Sequence, residues 1–166
     1  PARVTPGLVA ALQGRLMVTV VTHFNHAREI TPATEAACRT LRQAGFVLLN
    51  QSVLLKGVND SVEALEELCR ELMYRLGVKP YYLHHGDLTR GMAHRRTTIA
   101  EGQALVAALR TRLSGICNPT YVIDLPDGGG KVPLAACQAE PKGDGFWRIR
   151  GLDGQERDYR ESVDES

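Results

Sequence analysis

Four runs of β-branched and aliphatic residues alternate with four stretches of helical period, and this alternation constrains the fold more than any single motif. The strand candidates are Leu16–Thr22, Phe46–Leu49 resuming at Val53–Leu55, Lys79–Leu83 and Pro119–Ile123. The helical stretches are punctuated at both ends. Thr5-Pro6, Thr31-Pro32, Ser61 and Thr98 supply N-caps, and Gly14, Gly45, Gly77 and Gly115 supply stops. A helix between successive strands carries the chain back to the same end, so the strands should be parallel, and their near-continuous apolar character suits a sheet covered on both faces. Beyond Pro133 the texture changes. Glu140–Gly145 reads as a turn, and Phe146–Ile149 and Gln155–Tyr159 read as a small β-hairpin joined by Gly151–Gly154.

In parallel βα architectures, ligands bind beyond the carboxyl ends of the strands. Four polar clusters fall there: His23/Asn25/His26, Asn50/Gln51/Ser52, His84/His85/Asp87, and Asp124 with Lys131. Each has a structural alternative. His23 and His26 could hydrogen-bond within their own loop, Asn50 and Gln51 could satisfy backbone groups where a strand bends, and Asp87 and Asp124 could anchor loops. Adjacent histidines at a strand end point to opposite sides, so His84 and His85 seldom share an ion. Two carboxylates from neighbouring strand ends would suit an ammonium group.

The last cluster belongs to Asp124-Leu-Pro-Asp-Gly-Gly-Gly-Lys131, a glycine run ending in one lysine. Glycines let backbone approach a ligand closely, and a lysine there is either a phosphate contact or an amine for chemistry. An ATP-binding loop is a poor match because Val132-Pro133 follows the lysine in place of Ser/Thr and a helix. Spacing alone favours a simple hairpin turn.

Composition narrows the function classes. A formal net charge of +1 gives no reason to expect nucleic acid or an anionic membrane as a partner, and the apolar runs are too short to cross a bilayer. Cys38, Cys69, Cys117 and Cys137 form no close pair, so no metal site is read from them, and a reduced, cytoplasmic compartment is expected.

Thr22-His-Phe-Asn-His26, Asn50-Gln-Ser-Val-Leu-Leu-Lys-Gly-Val-Asn-Asp60, Lys79-Pro-Tyr-Tyr-Leu83 with Asp87, and Pro119-Thr-Tyr-Val-Ile-Asp124 to Lys131-Val-Pro133 together resemble the lysine 2,3-aminomutase family. The resemblance runs in order from about Arg3 to Glu161. It implies a pyridoxal-phosphate-dependent radical S-adenosylmethionine (SAM) isomerase. Such an enzyme moves an amino group from the α- to the β-carbon of L-lysine or a related amino acid. Lys131 matches the family's cofactor-bearing lysine, with Gly128, Gly129 and Gly130 beside the cofactor. Asp87 and Asp124 match residues that bind the substrate's side-chain ammonium, and His23 and Gln51 match positions facing SAM.

The family's three-cysteine motif for a 4Fe-4S cluster is absent, so cluster ligands are expected outside this chain. The expected fold is a partial parallel (β/α) barrel of radical SAM type, with about four of its six strands and a small C-terminal β-hairpin extension. Residues 1–133 would be the C-terminal part of the barrel with its lysine loop. Residues 134–166 would be the extension, in which Phe146, Trp147 and Tyr159 could supply a homo-oligomer contact. Such a piece would be inactive alone. Three departures point to a divergent member: Asp127 in the glycine tract, His84-His85-Gly86 for a usual Tyr-Gln-Cys, and Ala27 for a proline. Keeping both Asp87 and Asp124 favours lysine over glutamate as substrate. The competing reading is a noncatalytic module that binds an amino acid or pyridoxal phosphate, or serves in assembly.

Overall fold

A computed structural model describes the chain except for residues 15–16, 88–89, 127–128, 135–138, 152 and 161–166. It divides into two compact units, Pro1–Leu134 and Ala135–Ser166. The first carries β1 (Thr19–Thr22), β2 (Val47–Val53), β3 (Lys79–His84), β4 (Thr120–Leu125) and β5 (Gly130–Pro133) in one sheet, in that spatial order. β1 to β4 pair in parallel and β5 turns back antiparallel on β4. Parallel strands in sequential order need every crossover to have the same hand. Right-handed crossovers then place all connecting helices on one face, which is the winding of a (β/α) barrel segment.

Those helices are α2 (Pro32–Gln43), α3 (Val62–Arg70) and α4 (Ile99–Arg112), and α1 (Pro6–Leu12) precedes β1. Thr5, Thr31, Ser61 and Thr98 each accept a first-turn amide on the side-chain oxygen, and Thr31 and Thr98 complete capping boxes with Thr34 and Glu101. α3 continues as a π-helical turn over Glu71–Leu76 and stops at Gly77, whose φ of 63° is the left-handed conformation glycine adopts freely. One core cluster joins Cys38, Leu41, Leu48, Leu68, Leu72 and Val78, the other Leu54, Leu65, Leu83, Leu109, Cys117 and Tyr121. Burial of these side chains fixes which end of each strand carries the polar residues.

The boundaries move in physically interpretable ways. β1 begins at Thr19, with Leu16 outside the described residues. Asn50-Gln51-Ser52 does not interrupt β2: the strand runs through it, with a register shift between Asn50 and Gln51 opposite Pro80, which has no N–H to give the ladder. The second unit is a three-stranded antiparallel sheet, β6 (Ala139–Gly143), β7 (Phe146–Arg150) and β8 (Glu156–Arg160), where the sequence led us to expect a hairpin alone. Glu140–Gly143 is strand rather than turn, because the reversal needs only Asp144 and Gly145, both at positive φ of 52° and 74°.

Candidate functional site

The strand ends differ in how they use their polar residues. On β2 the pleat sends Asn50 and Ser52 into the interior and leaves Gln51 on the opposite face, partly exposed. The Asn50 Oδ1 accepts from the Thr22 Oγ1 at 2.9 Å and from the Phe24 amide at 2.8 Å. Its Nδ2 donates to the Phe24 carbonyl at 3.1 Å and to the Ser52 Oγ at 2.9 Å. Asn59, fully buried, takes the Leu55 amide at 2.7 Å and donates to the carbonyls of Asn25 and Val53. These two amides pin the segment after β1 to the end of β2. Asn50 therefore satisfies backbone groups, the structural alternative that its sequence left open.

Within that pinned segment, His26 caps a short 3-10 turn (Ala27–Glu29) by accepting the Arg28 amide on Nδ1. His23 lies exposed, its Nε2 3.1 Å from the Asn25 Nδ2. The two histidines after β3 diverge as pleating requires. His85 is buried with its Nδ1 2.8 Å from the Tyr121 hydroxyl, and burial pushes its imidazole below the ordinary histidine value. His84 faces the other way.

The tightest polar group is built by the β4–β5 hairpin. Its register sets Lys131 directly opposite Asp124, so the pair follows from the backbone and not from a chance side-chain approach. Nζ of Lys131 donates to Oδ1 of Asp124 at 2.5 Å, and Nδ1 of His84 lies 2.9 Å from Oδ2. An ionised carboxylate only accepts, so Nδ1 of His84 meets it as an N–H donor and the other ring nitrogen, Nε2, is turned away from it. That Nε2 is buried and has no hydrogen-bond partner among the described residues. Lys131 Nζ also sits 5.4 Å from the centroid of the Tyr82 ring, which meets His84 edge-on at 5.8 Å. The Lys131 hydrogen bond, opposed in part by desolvation and reinforced by His84, holds the Asp124 carboxyl below its usual range.

The glycine tract serves the turn. The Gly129 amide donates to the Pro126 carbonyl at 3.1 Å, and a Cβ at Gly129 would lie 2.7 Å from that of Leu125. Gly130 has φ of 79°, open only to glycine without strain. The hairpin that spacing favoured is thus real, and it is also what aims the lysine. Gly128 lies outside the described residues.

Of the sequence-derived site residues, Lys131 and Asp124 come together. Asp87 is exposed past the end of β3, lining a cavity of about 140 Å³ with Val53, Leu55, Gly86, Arg95 and Arg96. Tyr82 was missed as a neighbour of the lysine. The signal was present: residues 82 and 84 share one face of a strand, so His84 and Tyr82 travel together.

The residues around Lys131 fit a carbonyl-bearing aromatic cofactor such as pyridoxal phosphate. The lysine side chain is a primary amine with 30% exposure, flanked by the Tyr82 ring face and by the His84 imidazole, whose Nδ1 lies 3.4 Å from Nζ. They do not fit an iron–sulfur cluster: among the described residues no three His, Cys, Asp or Glu side chains gather, and Cys38, Cys69 and Cys117 are buried apart from this group.

No family model matches the chain. It is 46% identical over 134 residues to L-lysine 2,3-aminomutase of Clostridium subterminale, covering 81% of this chain and 32% of that protein. Over 134 residues it is 42% identical to the enzyme of the same name from Fusobacterium nucleatum, covering 81% and 31%. It is 36% identical over 155 residues to glutamate 2,3-aminomutase of Clostridioides difficile, covering 93% and 36%. The chain thus spans about a third of the length of the curated relatives it matches. A radical SAM methyltransferase from Sphaerobacter thermophilus aligns with a TM-score of 0.47 and 24% identity, covering 71% of this chain and 38% of that one.

Proposed function

This chain is a homologue of the L-lysine 2,3-aminomutases across 81% of its own length, and from that premise we propose that it forms part of a 2,3-aminomutase. The proposed reaction is isomerisation: an amino group moves from the α- to the β-carbon of L-lysine or a related amino acid. The observation that supports the reading is the Lys131–Asp124–His84 group at the strand ends, which pairs an amine with a carboxylate.

In this reading Lys131 would hold pyridoxal phosphate, with Gly128, Gly129 and Gly130 beside it. The bound cofactor supplies a conjugated ring over which charge or an unpaired electron spreads. Asp124 orients the lysine amine by accepting its hydrogen bond on Oδ1. His84 keeps that carboxylate in place through Nδ1–H. The Tyr82 ring shields one side of the amine from water. Asp87 and Asp124 would take the ammonium of the substrate, a charge-assisted contact that favours lysine over glutamate. His23 and Gln51 would face SAM. The cluster that such chemistry requires would be held by cysteines outside this sequence.

The decisive experiment adds pyridoxal phosphate to the full chain, reduces with borohydride and maps the adduct by mass spectrometry. An adduct on Lys131 that disappears in Lys131→Ala is expected. A folded chain modified only at other lysines would sink the assignment. The edge of β1, which among the described residues pairs only with β2, further suggests association between copies, to be read by light scattering. A strictly monomeric chain would count against it.

A further inference from the structure

A second cleft opens between the N-terminal ends of α3 and α4. It measures about 340 Å³ and is lined by Asp60, Val62, Thr97, Glu101, Ala104 and Leu105. Lys131, Asp124 and His84 are not among its lining residues. Ligand clefts begin at roughly 300 Å³, so a small molecule fits.

Thr97 is the informative wall. It is only 8% exposed, and its Oγ1 has no hydrogen-bond partner among the described residues. Buried hydroxyls in folded proteins are nearly always bonded, and an unmade bond there destabilises the fold. A hydroxyl beside a cleft can be answered by an occupant, and Oγ1 can either donate or accept.

The charge of the cleft selects that occupant. Asp60 and Glu101 come from two elements, the loop after β2 and the first turn of α4. Oδ1 of Asp60 accepts the Gly57 amide at 2.9 Å, and Oε2 of Glu101 accepts the Thr98 amide at 2.6 Å and its hydroxyl at 2.9 Å. The second oxygen of each carboxylate carries no hydrogen bond among the described residues. The bonds from Thr98 hold the Glu101 carboxyl below its usual range, so it is an anion at neutral pH. Lys56 acts on it at longer range, without an ion pair among the described residues. Helix N-termini on their own would attract an anion. Here Ser61 Oγ already meets the Ala64 amide and Thr98 Oγ1 that of Glu101, and the two open carboxylate oxygens reverse the preference.

We propose that this cleft binds a small amphipathic cation, an alkylguanidinium or alkylammonium. Asp60, Glu101 and the Thr97 hydroxyl hold its charged end, and Val62, Ala104 and Leu105 cover its hydrocarbon chain. A guanidinium suits the site better than an ammonium, because its planar fork can bond two carboxylates at once. The site depends on neither the Lys131 assignment nor the reaction proposed above.

The test titrates n-butylguanidinium into the full ¹⁵N-labelled chain and follows the Thr97 and Glu101 amides. Saturable shifts with a dissociation constant of about 1–10 mM are expected, a range open to a ligand of this size. Butyrate and 1-butanol lack the positive charge and should bind at least about tenfold more weakly. Glu101→Gln keeps a residue able to cap α4, and it should lower the affinity about tenfold. Thr97→Val removes the hydroxyl with little change of shape. It should lower the affinity about fivefold, while its urea midpoint stays at or above that of wild type. Should Thr97→Val fail to fold, Thr97→Ala gives the same comparison. A hydroxyl met by water alone would give no saturable shift, and that result, or equal binding of 1-butanol, would overturn the proposal. So would a lowered midpoint in Thr97→Val with its affinity unchanged, which would assign the hydroxyl to the fold.

Discussion

Asn50→Ala should unfasten the segment that follows β1 from the end of β2. Asn50 is 1% exposed and makes four hydrogen bonds, so the loss can be worked partner by partner. The Thr22 hydroxyl retains the Leu49 carbonyl at 3.0 Å, and the Phe24 carbonyl retains the Ser52 hydroxyl at 2.6 Å. The Phe24 amide, bonded to Asn50 Oδ1 at 2.8 Å, is left without that acceptor in a buried setting. Stranding one buried donor costs about 1–3 kcal/mol, and the amide-sized void adds about 1 more. The expected total is about 2–4 kcal/mol. With a urea slope of about 2 kcal/mol per molar, the midpoint should fall by about 1–2 M. Hydrogen exchange at the Phe24 amide should accelerate more than at Leu83, which belongs to the other core cluster. Asn50→Asp separates the two halves of the side chain. It keeps an acceptor for Phe24 but buries a charge, so its deficit should shrink as pH falls and the carboxyl protonates. A shift under about 0.3 M for Asn50→Ala, or unchanged exchange at Phe24, would refute the argument that this amide pins the site.

Three other outcomes follow from the geometry. Gly102→Ala places a methyl group against the Tyr121 ring and hydroxyl, so despite the better helix propensity of alanine it should destabilise by about 1–3 kcal/mol in urea unfolding; a gain in stability would contradict the packing. Asp124 has its folded pKa depressed, chiefly by Lys131, so its contribution is present at neutral pH and is lost as pH falls through that lowered value. In Lys131→Met the ¹³C-detected Asp124 titration should move up towards the ordinary carboxylate range, and an unmoved curve would refute the pairing. Burial and the neighbouring Cys117 push the Cys69 thiol up to about 12, so Cys69 should resist iodoacetamide at pH 8 in the folded chain and react once unfolded; fast labelling of the folded chain would exclude this burial.

The architecture was legible because its signals are local. A Thr or Ser cap, a proline at the first helical position and a glycine stop each act within one turn, and β-branched runs between them leave little choice but parallel strands with helical crossovers. The strand-end position of His23, Gln51, Asp87 and Asp124 was legible for the same reason. β6 was not, since Glu140-Pro-Lys-Gly143 carries turn residues and becomes strand only by pairing with β7. The difference between Asn50 and Gln51 also escaped a linear reading, because a register shift and the burial of one face decide which amide turns inward.

The sequence by itself determined that a lysine would end a glycine-rich reversal at the carboxyl edge of a parallel sheet. Only the tertiary structure decided what that lysine meets. Lys131 and His84 are separated by 47 residues, and their Nζ and Nδ1 atoms come to 3.4 Å because β3 and β4 pair in parallel while β5 folds back antiparallel. Side-chain chemistry can be read along a chain; the sharing of one carboxylate by a lysine and a histidine depends on register across three strands, which non-local pairing sets.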